Sequence, residues 1–465
     1  MKLTSRKVAF TFLAIVVMGI TSKAQVLTTV YSFSGADGYD PLAPLVQGVD
    51  GNFYGTTAFG GGMGSGTAFK VSPAGVLTTL HSFCSPDTGC YTDGSYPYGG
   101  LVQAANGNFY GTAYEGGAYS SGSVYQVDPS GDFKLIYSFC APLNCYEGLY
   151  PNAGLAIGID GDLYGATSFG SDGTLFKIGS RGKLTILVAF TGANGSTPQA
   201  GMTLGTNGMF YGTTEYGGQY YYGGTVYKMN PSGILTTLYS FGSHPNDGSL
   251  PLSKVMQASN GNLYGMTYQG GTHDCGTVFQ LTPIGVSTIL HSFTCTDGRY
   301  PNAPLIQATD GNLYGTASEG GSNDNGTLFE ITKAGQFILI HAFNGSDGMG
   351  PAGLVQGTDG AIYGSTGAGG SGKYGTIFKL DLGLGPFVTF VQPFGKVGET
   401  GSVIGQALTG TTSVAMNGVP AVFTVVSDTQ LQVTVPAGAT TGFVTVKTPA
   451  GILTSNVPFH VIPKS

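Results

Sequence analysis

The chain has 465 residues, of which 80 are glycine, 23 proline and none tryptophan. No Gly-X-Y period is present, which excludes collagen, and the glycine keeps company with Tyr, Val and Phe, which suits strands joined by tight turns rather than a disordered linker. A formal charge of −7 with only 9% charged residues disfavours a phosphate backbone as partner, so no nucleic acid is expected.

Residues 1–24 read as a secretory signal peptide. Lys2, Arg6 and Lys7 form the basic start, Val8 to Ile20 the apolar stretch, and Ser22 and Ala24 the small residues before a cut at Gln25. The stretch is shorter than the ~20 apolar residues that span a bilayer, and no later segment is longer, so no transmembrane helix is expected in the mature chain. Loss of Lys2, Arg6, Lys7 and Lys23 would leave a mature charge of −11. Export to the extracellular space or cell surface follows as the expected location.

Residues 25–384 are a tandem repeat. A Tyr-Gly step recurs at Tyr54, Tyr110, Tyr164, Tyr211, Tyr264, Tyr314 and Tyr363. A phenylalanine closing an LTTLYSF-like run recurs at Phe33, Phe83, Phe139, Phe190, Phe241, Phe293 and Phe343. Each unit holds four β-like runs, exemplified by 101–104, 108–113, 123–127 and 133–139. The first two are joined by Asn-Gly or Asp-Gly and the last two by Pro-x-Gly, both of which favour tight turns. No 3.6-residue period appears, so almost no helix is predicted. Seven units of four antiparallel strands predict a seven-bladed β-propeller. The mature chain starts with a lone fourth-type run, 26–33, and the seventh unit stops after its third. The first run is therefore expected to complete the last blade.

In such an order the two short turns lie on one face and the two long, variable loops on the other. The six cysteines, an even number in an exported chain, all fall in the long loops. Cys84 with Cys90 and Cys140 with Cys145 recur in equivalent loops and are the natural pairs, leaving Cys275 with Cys295. Their spacing lacks the paired C-x₂-C form of a zinc site.

Residues 385–465 leave the repeat. Alternating runs at 388–391, 401–408, 421–426, 431–435 and 443–447 predict a small Ig-like β-sandwich.

The pattern GNLYGTxxxGGxxxxGTLFxI at 311–331, with its six relatives, resembles the GloVer-type tandem repeat of exported bacterial "choice-of-anchor" proteins. The stretches at 391–408 and 416–451 resemble an IPT/TIG immunoglobulin-like module. The resemblance implies export and surface display and supplies no catalytic residues. The chain ends without the apolar sorting tail common in that family. Lys396, Lys447 and Lys464 are the only basic residues of the C-terminal module, so the DNA-binding role of some TIG modules is not expected.

The chemistry-bearing side chains are few. His81, His291 and His341 alternate with Tyr31, Tyr137 and Tyr239 at one strand position and read as structural. His273 beside Asp274 and Cys275 offers too few ligands for a metal. Asp37, Asp93, Asp247, Asp297 and Asp347, each before glycine, read as Asx-type turns. Gly60–Gly66 is no phosphate loop, because no helix follows it. Glu115, Glu215 and Glu319 sit in long loops of one face; were they to converge, they could serve glycoside hydrolysis. Tyr114, Tyr119, Tyr216, Tyr220, Tyr221, Tyr222 and Tyr268 lie in or beside the same loops and offer flat rings with polar tips, suited to sugars or peptides. The expected function is thus a secreted or cell-surface binding or structural protein that uses its long-loop face, with a carbohydrate or a cell-surface protein as partner. The alternative is a carbohydrate-active enzyme on the same scaffold. No cofactor and no metal are expected.

Overall fold

The computed structural model describes residues 25–463, apart from 85, 87, 88, 141–144 and 180. The expected signal peptide, Lys464 and Ser465 lie outside the described residues. All regular structure among the described residues is β. No helix there is long and apolar enough to cross a membrane.

Seven four-stranded antiparallel sheets account for residues 26–381. The first comprises Val46–Gln47, Phe53–Thr57, Thr67–Val71 and Leu77–Ser82, hydrogen-bonded in chain order. The same order recurs at 102–138, 156–189, 203–240, 256–292 and 306–342. The seventh sheet takes three strands from Met349–Gln356, Ile362–Ala368 and Thr376–Asp381, and its fourth from Val26–Ser32. That last pairing is antiparallel and runs from Val26 opposite Asp381 to Ser32 opposite Thr376. The run 26–32 therefore completes the last sheet.

Packing explains the Tyr-Gly step. In each second strand the glycine lies under an aromatic ring of the third. A methyl group built on Gly55 would meet Phe69 Cζ at 2.8 Å, and one on Gly364 would meet Phe378 Cζ at 2.4 Å. Any side chain there would push the third strand away. The tyrosine beside each glycine faces the next sheet instead. Tyr54 stacks on Phe109 with centroids 3.9 Å apart, and Tyr164 on Phe210 at 4.1 Å. Tyr363 of the seventh sheet meets Phe53 of the first at 4.1 Å. Rings of this size dominate the apolar area removed from water, at about 25 cal/mol per Å².

Polar seams repeat as regularly. Second-strand hydroxyls donate to the segment leading into the next sheet: Thr56 to Gly99 O at 3.1 Å, Thr112 to Ala153 O at 2.9 Å, and Thr316 to Ala352 O at 2.8 Å. Between the seventh and first sheets the donor is Ser365, 2.8 Å from Pro41 O. The two ends of the repeat array are thus joined by the same bonds that join its middle.

Residues 388–462 form two further four-stranded sheets. One contains Thr389–Phe390, Thr400–Ile404, Gln430–Thr434 and Val422–Ser427; the other Val419–Pro420, Ser413–Met416, Val444–Thr448 and Gly451–Thr454. They share a buried cluster that includes Val388, Val403, Leu431, Val433, Val444 and Val446. This unit touches the short-turn end of the repeats. Thr429 Oγ1 donates to Val49 O at 2.7 Å, and Phe387 N to Thr358 O at 3.1 Å.

Candidate functional site

The long loops, not the short turns, carry the unusual backbone. Before the first strand of six sheets, and within that of the seventh, stands an X-Pro step: Asp40, Tyr96, Tyr150, Thr197, Leu250, Tyr300 and Gly350. All seven X residues have φ between 55° and 64°. A left-handed residue other than glycine costs roughly 1–2 kcal/mol, and a following proline disfavours compact conformations further. The return on that cost is visible. Each of these seven N–H groups donates to the long loop of the preceding sheet, from Thr197 N to Asp172 O at 2.8 Å to Asp40 N to Tyr374 O at 3.3 Å. Six of the seven, all but Gly350, carry this strain, and it persists because the surrounding hydrogen bonds hold it in place.

The X residue also brings its side chain over the end of the preceding sheet's second strand. Tyr150 thereby stacks on Tyr114 with centroids 4.9 Å apart, and Tyr300 on Tyr268 at 4.5 Å. The Tyr114–Tyr150 pair belongs to a longer series. Tyr374, Tyr39, Phe59, Tyr96, Tyr98, Tyr114, Tyr150 and Phe169 follow one another, with successive rings 4.9–6.4 Å apart. Tyr39, Phe169 and Tyr374 remain more than a third exposed. Ser168, next to Phe169, leads into a polar chain, its Oγ donating to Gln199 Oε1 at 3.5 Å. Asn152 Nδ2 donates to Gln199 Oε1 at 2.5 Å, and Gln199 Nε2 donates to Glu215 Oε2 at 2.9 Å.

The electrostatics of this rim are set by burial. Burial pushes the Asp40 carboxyl up to about 6. The Tyr98 phenol is raised, first by burial and then by Asp40, Tyr114, Tyr96 and Glu115 around it. Tyr114 is raised by burial and then by Glu115 and Tyr150. Tyr268 is raised by burial and then by Glu319.

The three glutamates do not share one register. Glu115 and Glu319 sit opposite Ser95 and Arg299 in isolated bridges, a position held by Tyr216 in the fourth repeat. Glu215 is one residue earlier, so its side chain leaves the opposite side of the backbone. Glu319 is ion-paired with Arg299, which also lies 3.3 Å from Asp324. Held by Gln199 and by Arg299, Glu215 and Glu319 have separate structural partners rather than one shared reaction centre. Among the tyrosines, Tyr216 lies 6.5 Å from Tyr222, which in turn meets Tyr221 edge-on at 4.9 Å. Tyr119, Tyr220, Tyr221 and Tyr222 are exposed.

The aspartates correct the sequence reading in another way. An Asx turn would bond an N–H two residues on. Here the carboxylates reach backward, taking Ser34 N at Asp37, Thr294 N at Asp297 and Asn344 N at Asp347, each at 2.8–2.9 Å. Their other oxygen holds the Tyr/His position of the fourth strand. Tyr31 bonds Asp37, and His81, His291 and His341 lie 2.8–3.1 Å from Asp93, Asp297 and Asp347. His81 and His291 also stack on Phe133 and Phe337. These histidines fasten loops to strands.

Cys84–Cys90, Cys140–Cys145 and Cys275–Cys295 are disulfides. No cluster of three or more His, Cys, Asp or Glu suited to a metal occurs among the described residues.

Sequence reasoning found Tyr114 and Tyr268 but missed Tyr39, Phe59, Tyr96, Tyr98, Tyr150, Phe169, Tyr300 and Tyr374, and with them Asp40, Asn152 and Gln199. The X-Pro step, six residues before the first strand in six of the sheets, was the available signal for the X residues.

In fold, the chain is similar to the extracellular domain of a hybrid two-component system protein from B. thetaiotaomicron, with a TM-score of 0.51 at 12% identity. The alignment covers 92% of this chain and 53% of the other, so the chain spans about half the length of that relative. Lower likenesses include a 6-phosphogluconolactonase from Bacteroides fragilis (TM-score 0.46, 15% identity, 74% of this chain and 89% of that one) and an auxiliary nutrient binding protein from Bacteroides ovatus (0.44, 10%, 77% and 76%). At such identities likeness bears on fold alone. No curated protein matches the sequence. The Gloeobacter/Verrucomicrobia repeat model matches residues 16–172, 150–378 and 303–453, and the chain belongs to that family.

Proposed function

We propose that this is an exported binding protein that holds a saccharide on the long-loop rim of a closed seven-bladed β-propeller. In this reading residues 1–24 are a signal peptide, 25–384 the propeller and 385–465 an Ig-like module of IPT/TIG type. Closure is supported by the strand 26–32 completing the seventh sheet and by the seventh-to-first seam repeating the bonds of the other seams. Export is supported by three disulfides, which persist in oxidising compartments.

The observation that carries the functional reading is the eight-ring series running into the Asn152–Gln199–Glu215 chain. Aromatic faces cover the apolar C–H faces of a pyranose, and amides and carboxylates take its hydroxyls. Tyr114, Tyr216, Tyr268, Glu215 and the exposed Tyr119, Tyr220, Tyr221 and Tyr222 border this surface; Glu115 and Glu319 are part of its wall. Such a mixture of apolar rings and a few placed polar groups is what small-ligand sites use.

Glycan and peptide arrays with the mature protein, followed by calorimetry, test the reading. Saccharide binding is expected, with Tyr98→Ala and Tyr114→Ala each weakening it about tenfold or more, the scale of one lost stacking partner. Signal on peptides alone, or affinity indifferent to both substitutions, would refute it.

A further inference from the structure

The seams between sheets are not closed alike at their short-turn end. Each seam sets the tyrosine of the Tyr-Gly step and the fourth residue of the third strand against the second strand and last turn of the following sheet. Between the first and second sheets the fit is tight. Tyr54 stacks on Phe109, and Lys70 Nζ crosses the seam to Pro129 O at 2.8 Å. Between the fifth and sixth sheets the same four positions hold Tyr264, Leu313, Gln280 and Lys333. A leucine replaces the facing ring, and a glutamine replaces the crossing lysine. The seam is left with a cleft of about 230 Å³, lined among others by Tyr264, Gln280, Leu290, Leu313, Ile331 and Lys333. Tyr264 accordingly keeps 8% of its surface exposed, against 1% for Tyr54.

The polar groups of this cleft are biased toward donors. Asn260 Nδ2 donates to Tyr264 Oη at 2.8 Å, and Tyr264 Oη donates to Gln280 Oε1 at 3.0 Å. The glutamine's acceptor is thereby used, and among the described residues nothing accepts from its Nε2. Lys333 stands where proline opens the equivalent turn in four sheets, at Pro73, Pro129, Pro231 and Pro283. Proline suits that turn position and stiffens it, so lysine there forgoes a local gain. The lysine is held all the same. Its N–H donates to Asn312 Oδ1 at 3.0 Å, and its stem lies so close to Gly311 that a methyl group there would collide with Lys333 Cε. Lys333 enters no ion pair among the described residues. No carboxylate lines the cleft. Asp310 and Glu330, close by in sequence, serve the next seam: Tyr314 Oη and Asn312 Nδ2 bond Asp310, Asn312 Nδ2 also bonds Glu330, and Tyr314 packs with Ile362 of the seventh sheet.

We propose that the cleft between the fifth and sixth sheets is a second binding site, at the opposite end of the sheets from the long-loop rim, and that it takes a small monocarboxylate with a short apolar tail. The carboxylate accepts from the Lys333 amine and from Gln280 Nε2, and a charge-assisted hydrogen bond is about twice as strong as a neutral one. The tail lies against Leu290, Leu313 and Ile331. The volume is below the ~300–1,000 Å³ of sites for drug-sized ligands, so the guest is small. A single negative charge suits a chain whose net charge is −7.

The test uses the mature full-length protein with ¹³C-methyl leucine, followed by NMR, with hexanoate as the probe. The Leu290 and Leu313 resonances are assigned by their loss in Leu290→Met and Leu313→Met. Hexanoate is expected to shift both saturably. Acetate, which lacks the tail, and 1-hexanol, which lacks the charge, should each bind about tenfold more weakly or worse. Lys333→Gln and Gln280→Met should each weaken hexanoate by a similar factor, Lys333→Arg should retain most of the affinity, and the exposed Lys134→Gln should leave it unchanged. Urea midpoints equal to the parent's show that the variants are folded. If hexanoate and 1-hexanol bind alike, if Lys333→Gln binds hexanoate as the parent does, if Lys134→Gln weakens binding as much as Lys333→Gln, or if the two leucines stay unmoved at saturation, the site does not exist. None of these results bears on saccharide binding at the rim, which is measured with a different probe and different variants.

Discussion

Two hydroxyls show how closely single side chains can be read. The third-strand ring that covers each glycine is phenylalanine in five sheets and tyrosine in two, Tyr125 and Tyr227. Both tyrosines are fully buried, and among the described residues neither hydroxyl has a hydrogen-bond partner. Tyr125→Phe and Tyr227→Phe should each raise stability by about 1 kcal/mol, read as a higher urea midpoint with unchanged slope. Asp40 offers a pH-dependent counterpart. Burial raises its folded pKa to about 6. The folded state then holds a proton that the unfolded state releases near 4, so this residue's contribution is fully present below about pH 4 and is lost as pH rises through about 6. Asp40→Asn should therefore stabilise the protein at pH 7.5, by roughly 1 kcal/mol after solvent screening, and do little at pH 4. Denaturant titrations at the two pH values decide it. At this scale the sequence was half legible. It pointed to Tyr114 and Tyr268 from their loops, but their partners Tyr150 and Tyr300 come from the following repeat, and the X-Pro steps that mark those two do not say which ring each will meet.

Strands were legible because their causes are local. The Asn-Gly and Pro-x-Gly turns, the Tyr-Gly step and the closing phenylalanine each fix a boundary, and the clasp by 26–33 follows from counting runs. In the C-terminal unit, Ser413–Met416 and Gly451–Thr454 escaped notice because they are segments of four residues with only one or two buried side chains each. The backward-reaching aspartates escaped because Asp-Gly looks like a turn whichever way the carboxylate points. The disulfides differ in what they tie. Cys275–Cys295 closes 20 residues and joins the loop of one sheet to the approach of the next, whereas Cys84–Cys90 and Cys140–Cys145 close 6 and 5. Loop-closure entropy gives about 3 kcal/mol for the first and about 2 for each of the others. Replacing each pair by alanine and comparing melting curves should reproduce that order. Removing the strand Val26–Ser32 should cost more than any disulfide, since it strips the seventh sheet of an edge partner along six residue pairs. A truncated chain that melts as cooperatively as the parent would contradict this.

At the scale of the whole molecule, one seam differs from all others. Neighbouring sheets elsewhere are also neighbours in sequence, while Val26 meets Asp381 across nearly the entire repeat array. Contacts so distant form late, because a long loop must close before they repay its entropy. Until residue 381 has been made and has folded, Val26–Ser32 is a β-prone segment with no mate, next to a growing row of sheets whose newest edge is equally bare. That is a template for pairing with another molecule of the same kind. Crowded synthesis should thus favour strand-swapped oligomers in which one molecule's opening segment seals its neighbour, and a circular permutant beginning between two middle repeats, with the native ends tethered, should refold faster and with fewer such by-products.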